Sequence, residues 1–294
     1  MTTLSPSASR AETIAREIDH ARTRGPLQTI VIPPCPALLT RLQQALALAE
    51  PDLGEVARIA GSDVAMSAVL IRQASGAQFA GFAPAQTVGQ AMTRLGLEQT
   101  AALMTGFLTR QSIRADSPHL QRFWERSTRR AVALDGLARQ MPGLSPDLAY
   151  TYGLFLHVGM PVLLQSVRGY AGTIVEGQAR RDRSFVQTEN ANHRTDHAVV
   201  GALVARVWRL APAVMCAIRL HHDLDALGAA GVEPEVHTLV AAGLVAEHLV
   251  RRHEGLDAEI DWVQHGAQAL DWLQAAPDDL HEWDDRLRPL LDEA

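Results

Sequence analysis

Apolar residues recur at three- and four-residue spacings along almost the whole chain, and this pattern excludes most folds. Leu38, Leu39, Leu42 and Leu46 fall on one helical face, and Val64, Ala68, Leu70 and Ile71 fall on another. A period near 3.6 buries one stripe of a helix, whereas a half-buried strand needs strict alternation. Alternating β-branched or aromatic runs are almost absent. Only Thr29 to Ile32 reads as extended, and it runs into Pro33-Pro34-Cys35-Pro36. Proline fixes φ and biases the residue before it to extended geometry, so this stretch predicts a rigid strap and not a strand. The expectation is an all-α fold.

Turn and cap residues divide the chain. A helix is expected over 8–24, ending at Gly25-Pro26, and about five short helices follow the strap, one of them closing at Gly96. Asp116-Ser117-Pro118 carries a cap and a helix-starting proline and reads as the clearest internal boundary. A long helix is expected over 123–139, then an apolar segment over 148–167. Residues 176–195 are polar and hold a loop, and helices follow over 196–208, 212–222 and 235–252. Acidic helices end the chain, with Trp262, Trp272 and Trp283 as anchors. The expected units are an N-terminal helix and linker (1–27), a first helical lobe (28–115), a second lobe (116–254) and acidic C-terminal helices (255–294).

Residues 148–167 carry no formal charge for about the length of a bilayer span. His157, Pro161, Gln165 and two glycines interrupt them, so the segment reads as a buried helix that breaks near Pro161 and not as a membrane span. Met1 leads into a polar stretch without the apolar core of a secretory signal. Cys35 and Cys216 lie in unrelated surroundings and read as two reduced thiols, which points to the cytoplasm.

Composition removes several chemistries. All 27 basic residues are arginine. Phosphate-loop NTPases, protein kinases and pyridoxal enzymes need a lysine and drop out. The net charge of −6 is uneven: residues 1–130 hold 14 arginines against 10 acids, and residues 255–294 hold 2 against 11. The acidic end disfavours a nucleic-acid grip there, and the basic excess elsewhere is too dilute to argue for one. The Arg129-Arg130 and Arg180-Arg181-x-Arg183 pairs and triplets read as solvated surface.

Histidine is the residue type that could carry chemistry. There are twelve. His193 and His197 are four apart, where one helical face would let both reach a single ion. His157 sits inside the apolar segment, and His221-His222-Asp223 ends a helix. A buried histidine is either a hydrogen-bonded structural group or a ligand.

The order of the pieces resembles the HDOD family, a degenerate, HD-superfamily-related bacterial signalling domain. The resemblance rests on Ile32-Pro33-Pro34-Cys35-Pro36, on 53–63 (LGEVARIAGSD), 69–82 (VLIRQASGAQFAGF) and 87–97 (TVGQAMTRLGL), on Phe123-Trp124, on Asp196 to Ala202 with Trp208, and on Ile218 to His222. It covers about residues 30–254 and implies two helical lobes, the second degenerate and HD-like, with extra terminal helices. HD hydrolases bind one or two divalent metals through an early histidine, a His-Asp pair and a late aspartate. The resemblance puts Arg126 at the early histidine, His157-Val158 at the pair and Gly243 at the late aspartate. No acidic ligand of that set remains. His157, His197, His221 and His222 are left.

The resemblance therefore implies no catalysis and a signalling or scaffold role through protein contacts. The four histidines read as hydrogen-bonded partners in a core that once held metal, with no resident cofactor; the alternative is that three or four of them still bind a transition metal such as zinc. Two other readings stay open. One is a metal-dependent phosphohydrolase with a reshuffled histidine site. The other is a receptor in which the histidines and Arg126 grip a small anion such as a phosphate or nucleotide, since a guanidinium is a fork for phosphate.

Overall fold

The structure is a computed structural model and describes residues 10–23, 25–79, 81–113 and 118–294. Every regular element among the described residues is helical, as the periodicity requires. Helix α1 (Arg10–Arg22) precedes the proline strap. The first lobe then holds α2 (Ala37–Leu46), α3 (Leu53–Gly61), α4 (Val64–Gln73) and α5 (Val88–Ser112). The second holds α6 (Pro118–Ala138), α7 (Pro146–Phe155), α8 (Gly159–Ser166), α9 (Tyr170–Ala179), α10 (Phe185–His193), α11 (His197–Val207), α12 (Pro212–Leu220) and α13 (Pro234–His253). Helices α14 (Ile260–Trp272) and α15 (Asp279–Glu293) complete the chain.

Side-chain caps explain where many helices begin. Asp52, Asp63, Thr87, Ser145 and Asp196 each accept from a free backbone N–H in the first turn of the helix that follows. Proline opens α7, α12 and α13, where its missing N–H has no partner to lose. Gly96 has φ +79° and joins two helical pieces of α5 across a kink.

The loop within the polar stretch 176–195 is short: α9 runs to Ala179, and a Ser184–Gln187 capping box starts α10. Most of its polar side chains face solvent, but Thr188 and Glu189 are fully buried. The apolar segment breaks at 156–158, three residues before Pro161, and Pro161 sits in the first turn of α8, where it disturbs no helical hydrogen bond. The Asp116-Ser117 boundary lies outside the described residues.

The first lobe is a cluster of α2 to α5, and α5 packs on α7 of the second lobe. One apolar core runs from Ile14 to Leu291 through both lobes. The strap is fastened to the second lobe, with Trp208 Nε1 donating to the Pro33 carbonyl at 2.9 Å. Helix α1 packs on α11 and α12, and α15 packs on α6 and α13. Leu287 of α15 packs over Gly136, where a Cβ would meet the end of its side chain. No described helix is long and apolar enough to cross a membrane.

Candidate metal centre

Two close packings bring distant histidines to one place. His157 occupies the turn between α7 and α8. The next helix starts at Gly159, where a Cβ would collide with the His197 carbonyl oxygen and lie 2.7 Å from the Gly201 nitrogen. The backbones of α8 and α11 therefore touch, which carries His157 to His197, the first residue of α11. Gly201 in turn lets Ile218 of α12 approach, since a Cβ there would lie 3.0 Å from its Cγ2. His221 and His222 follow the last residue of α12, and both rings turn back toward His197.

The result is a group of four imidazoles whose facing nitrogens all lie within 4.8 Å of one another. His157 Nδ1 is 2.8 Å from His197 Nε2, and the Nε2 atoms of His221 and His222 are each 3.2 Å from that same atom. His157, His197 and His221 are buried, and His222 is nearly so.

Each ring has an oxygen behind it. His197 Nδ1 meets Glu189 Oε2 at 2.6 Å, His221 Nδ1 meets the Ile218 carbonyl at 2.7 Å, and His222 Nδ1 meets Asp261 Oδ2 at 2.5 Å. His157 Nε2 faces Glu247 Oε2 at 3.8 Å. Glu189 also accepts from the His197 backbone N–H and the Tyr170 hydroxyl. Glu247 is held by the buried Arg130 guanidinium.

This arrangement carries a proton count. A neutral imidazole has one N–H, and an acceptor behind the ring draws it outward. The Nε2 lone pairs of His197, His221 and His222 then face one another, and His157 Nδ1 lies 2.8 Å from His197 Nε2. Burial, reinforced by Arg130, pushes His157 well below the usual histidine range, and burial beside its neighbours does the same to His221. Burial opposes charge on His222 as well, but Asp261 outweighs it and raises that ring. Burial would raise Glu247, yet Arg130 and His157 hold it well below the usual carboxylate range. The donor set fits one divalent cation of the transition series, for which neutral imidazole is a good ligand.

The other sequence candidates fall elsewhere. Arg126 is not at the centre: its Nε and Nη2 atoms bind Glu254 Oε2 at 2.7 and 2.5 Å, and Arg129 holds the other oxygen at 3.0 Å. Arg130, one turn further along α6, is the arginine beside His157. Arg129-Arg130 is likewise no solvated pair. Gly243 faces Tyr152, and the acid of that region is Glu247, one turn on. Val158 is fully buried in the α7–α8 turn and offers no ligand atom. His193 bonds Thr173 at 2.8 Å, because α10 ends there and α11 starts a new direction at His197. Asp196 caps α11, and Asp223 is exposed. Arg180, Arg181 and Arg183 pair with Glu176, Asp182 and Asp257 at the surface.

Sequence reasoning missed Glu189, Glu247, Asp261 and Arg130. Only Glu189 left a trace, as an acid eight residues before a motif histidine.

The HDOD domain model matches residues 32–224 of this chain. The chain belongs to the HDOD family. Among solved structures, this HDOD chain is similar to a candidate signal transduction protein from Marinobacter aquaeolei VT8, with a TM-score of 0.72 and 19% identity over 99% of this chain and 66% of that one. An HDOD domain protein of unknown function from Geobacter sulfurreducens matches with a TM-score of 0.70 and 18% identity, over 96% and 97%. A candidate metal-dependent phosphohydrolase from Shewanella amazonensis SB2B matches with a TM-score of 0.63 and 20% identity, over 96% and 99%. At these identities the likeness is one of fold. An uncharacterized protein of Treponema pallidum (strain Nichols) is 24% identical over 195 residues, which are 66% of this chain and 38% of that protein.

Proposed function

We propose that this HDOD chain is a non-catalytic, cytoplasmic signalling or scaffold protein that works through protein contacts, with one divalent transition-metal ion held by His157, His197, His221 and His222. The observation that carries the metal is the convergence of four ring nitrogens, each backed by an oxygen. When bound, such an ion cross-links the α7–α8 turn, α11 and the end of α12. The same donor set speaks against hydrolysis. Four imidazoles are a full ligand set of the structural kind, and catalytic sites keep a position open for water or substrate. No carboxylate stands among the facing atoms, and Glu247 is engaged by a fixed guanidinium instead of a second ion. The signalling name of the Marinobacter protein points the same way, at the level of fold.

The test is elemental analysis of protein purified without a His tag or chelator, combined with phosphomonoester and phosphodiester turnover. About one transition metal per chain without turnover is the expected result. Folded protein free of metal removes the metal from the reading. Metal-dependent turnover that His157→Ala abolishes replaces the scaffold reading with the hydrolase one. The anion-receptor reading loses its main residue, since Arg126 is bound to Glu254.

A further inference from the structure

We propose that Asp261, in the first turn of α14, is a positioning residue for the histidine centre, so that a segment beyond the HDOD-matched stretch completes the site. This rests on the metal reading above.

His222 is the ring that most needs outside help. It follows the last residues of α12 and has 12% of its side chain exposed, against 0% for His197 and 7% for His157. His221 uses the Ile218 carbonyl of its own helix, and His197 uses Glu189, which also holds its backbone N–H. The outer nitrogen of His222 meets Asp261 at 2.5 Å. The fold also fixes that carboxylate. Arg251 of α13 donates from Nε to the Asp257 carbonyl at 2.8 Å and from Nη1 to Glu259 Oε1 at 2.6 Å. Trp262 lies flat on His248, with centroids 3.9 Å apart and planes 5° from parallel. The start of α14 is thus pinned to α13 on both sides of Asp261.

A carboxylate behind a ligating imidazole fixes its tautomer, aims the opposite lone pair and raises its basicity, and losing it costs about 10- to 100-fold in metal affinity. The experiment titrates the metal-stripped full chain with Co²⁺ and follows the visible d–d band. The melting temperature of each metal-free variant is measured alongside. Asp261→Asn should bind Co²⁺ about 10-fold more weakly and Asp261→Ala close to 100-fold more weakly, with an altered d–d band. Asp261→Glu should recover part of the affinity. Asp225→Asn, at an exposed carboxylate near His265, should match wild type. If Asp261→Ala does not fold, the isosteric Asp261→Asn decides the matter. Wild-type affinity and spectrum in the Asp261 variants overturn the proposal and leave the metal reading standing. A wild-type chain that takes up no Co²⁺ overturns both.

Discussion

His157 Nδ1 lies 2.8 Å from His197 Nε2, across forty residues of sequence, because Gly159 has no side chain to hold α8 away from α11. The histidine centre is thus a consequence of backbone contact. It can be broken without touching a histidine.

Gly159→Ala should cost about 3 kcal/mol or more, since the new methyl meets backbone atoms that cannot move aside. Gly172→Ala, in α9 with open space around it, should change stability by no more than about 1 kcal/mol, in the stabilising direction. Urea unfolding of both variants checks this. Equal losses at the two sites would show that the α8–α11 contact is not the constraint.

Removing one converging ring should empty the centre. His197→Ala is expected to lose all bound transition metal in elemental analysis. His193→Ala should retain it, because His193 bonds Thr173 on another face. Metal loss in both variants would place the ion elsewhere.

Arg130 and Glu247 form a buried pair, and breaking such a pair from one side costs about 3–5 kcal/mol. Arg130→Met and Glu247→Leu should each destabilise by that order, and the double variant by far less than their sum. A double-mutant cycle from denaturant melts reads the coupling. Additive losses would mean that the two charges do not depend on each other.

Asp147 gives a pH dependence of defined sign. Burial, helped by Glu98, pushes its carboxyl from 3.8 up to about 6. Between about pH 4 and 6 the unfolded chain has released a proton that the folded chain keeps, so stability falls as pH rises through that window. Above it the penalty is complete. Asp147→Asn should therefore be more stable than wild type at pH 8, by about 1 kcal/mol once solvent screening of this half-exposed group is allowed for. The advantage should vanish below about pH 4. An advantage that is constant from pH 4 to 8 would rule out the carboxylate pair as its source.

Several elements were legible in the chain itself. Helix starts followed from Asp63, Thr87, Ser145 and Asp196, since a cap acts on N–H groups two or three residues away. Within 176–195 the loop was legible, but α10 was not, because a hydrophilic helix with a capping box has no apolar stripe to mark it. Of the site, the four histidines could be picked out by motif order, but their surroundings could not. Arg126 and Arg130 differ by one helical turn, and nothing local says which of them faces Glu247 and which faces Glu254.

The all-α class, the helix boundaries set by caps and prolines, the absence of lysine chemistry and the four motif histidines were determined by sequence alone, because each depends on residue type or on neighbours within a turn or two. Tertiary structure decided that the four rings converge, that Glu189, Glu247 and Asp261 stand behind three of them, and that Arg130 supplies a fixed positive charge. The reason is distance along the chain. His157 meets Glu247 across ninety residues, and Asp261 meets His222 across 39. Contacts of that span are set by which helix faces pack, and a periodic apolar pattern states that a face is buried without stating against what.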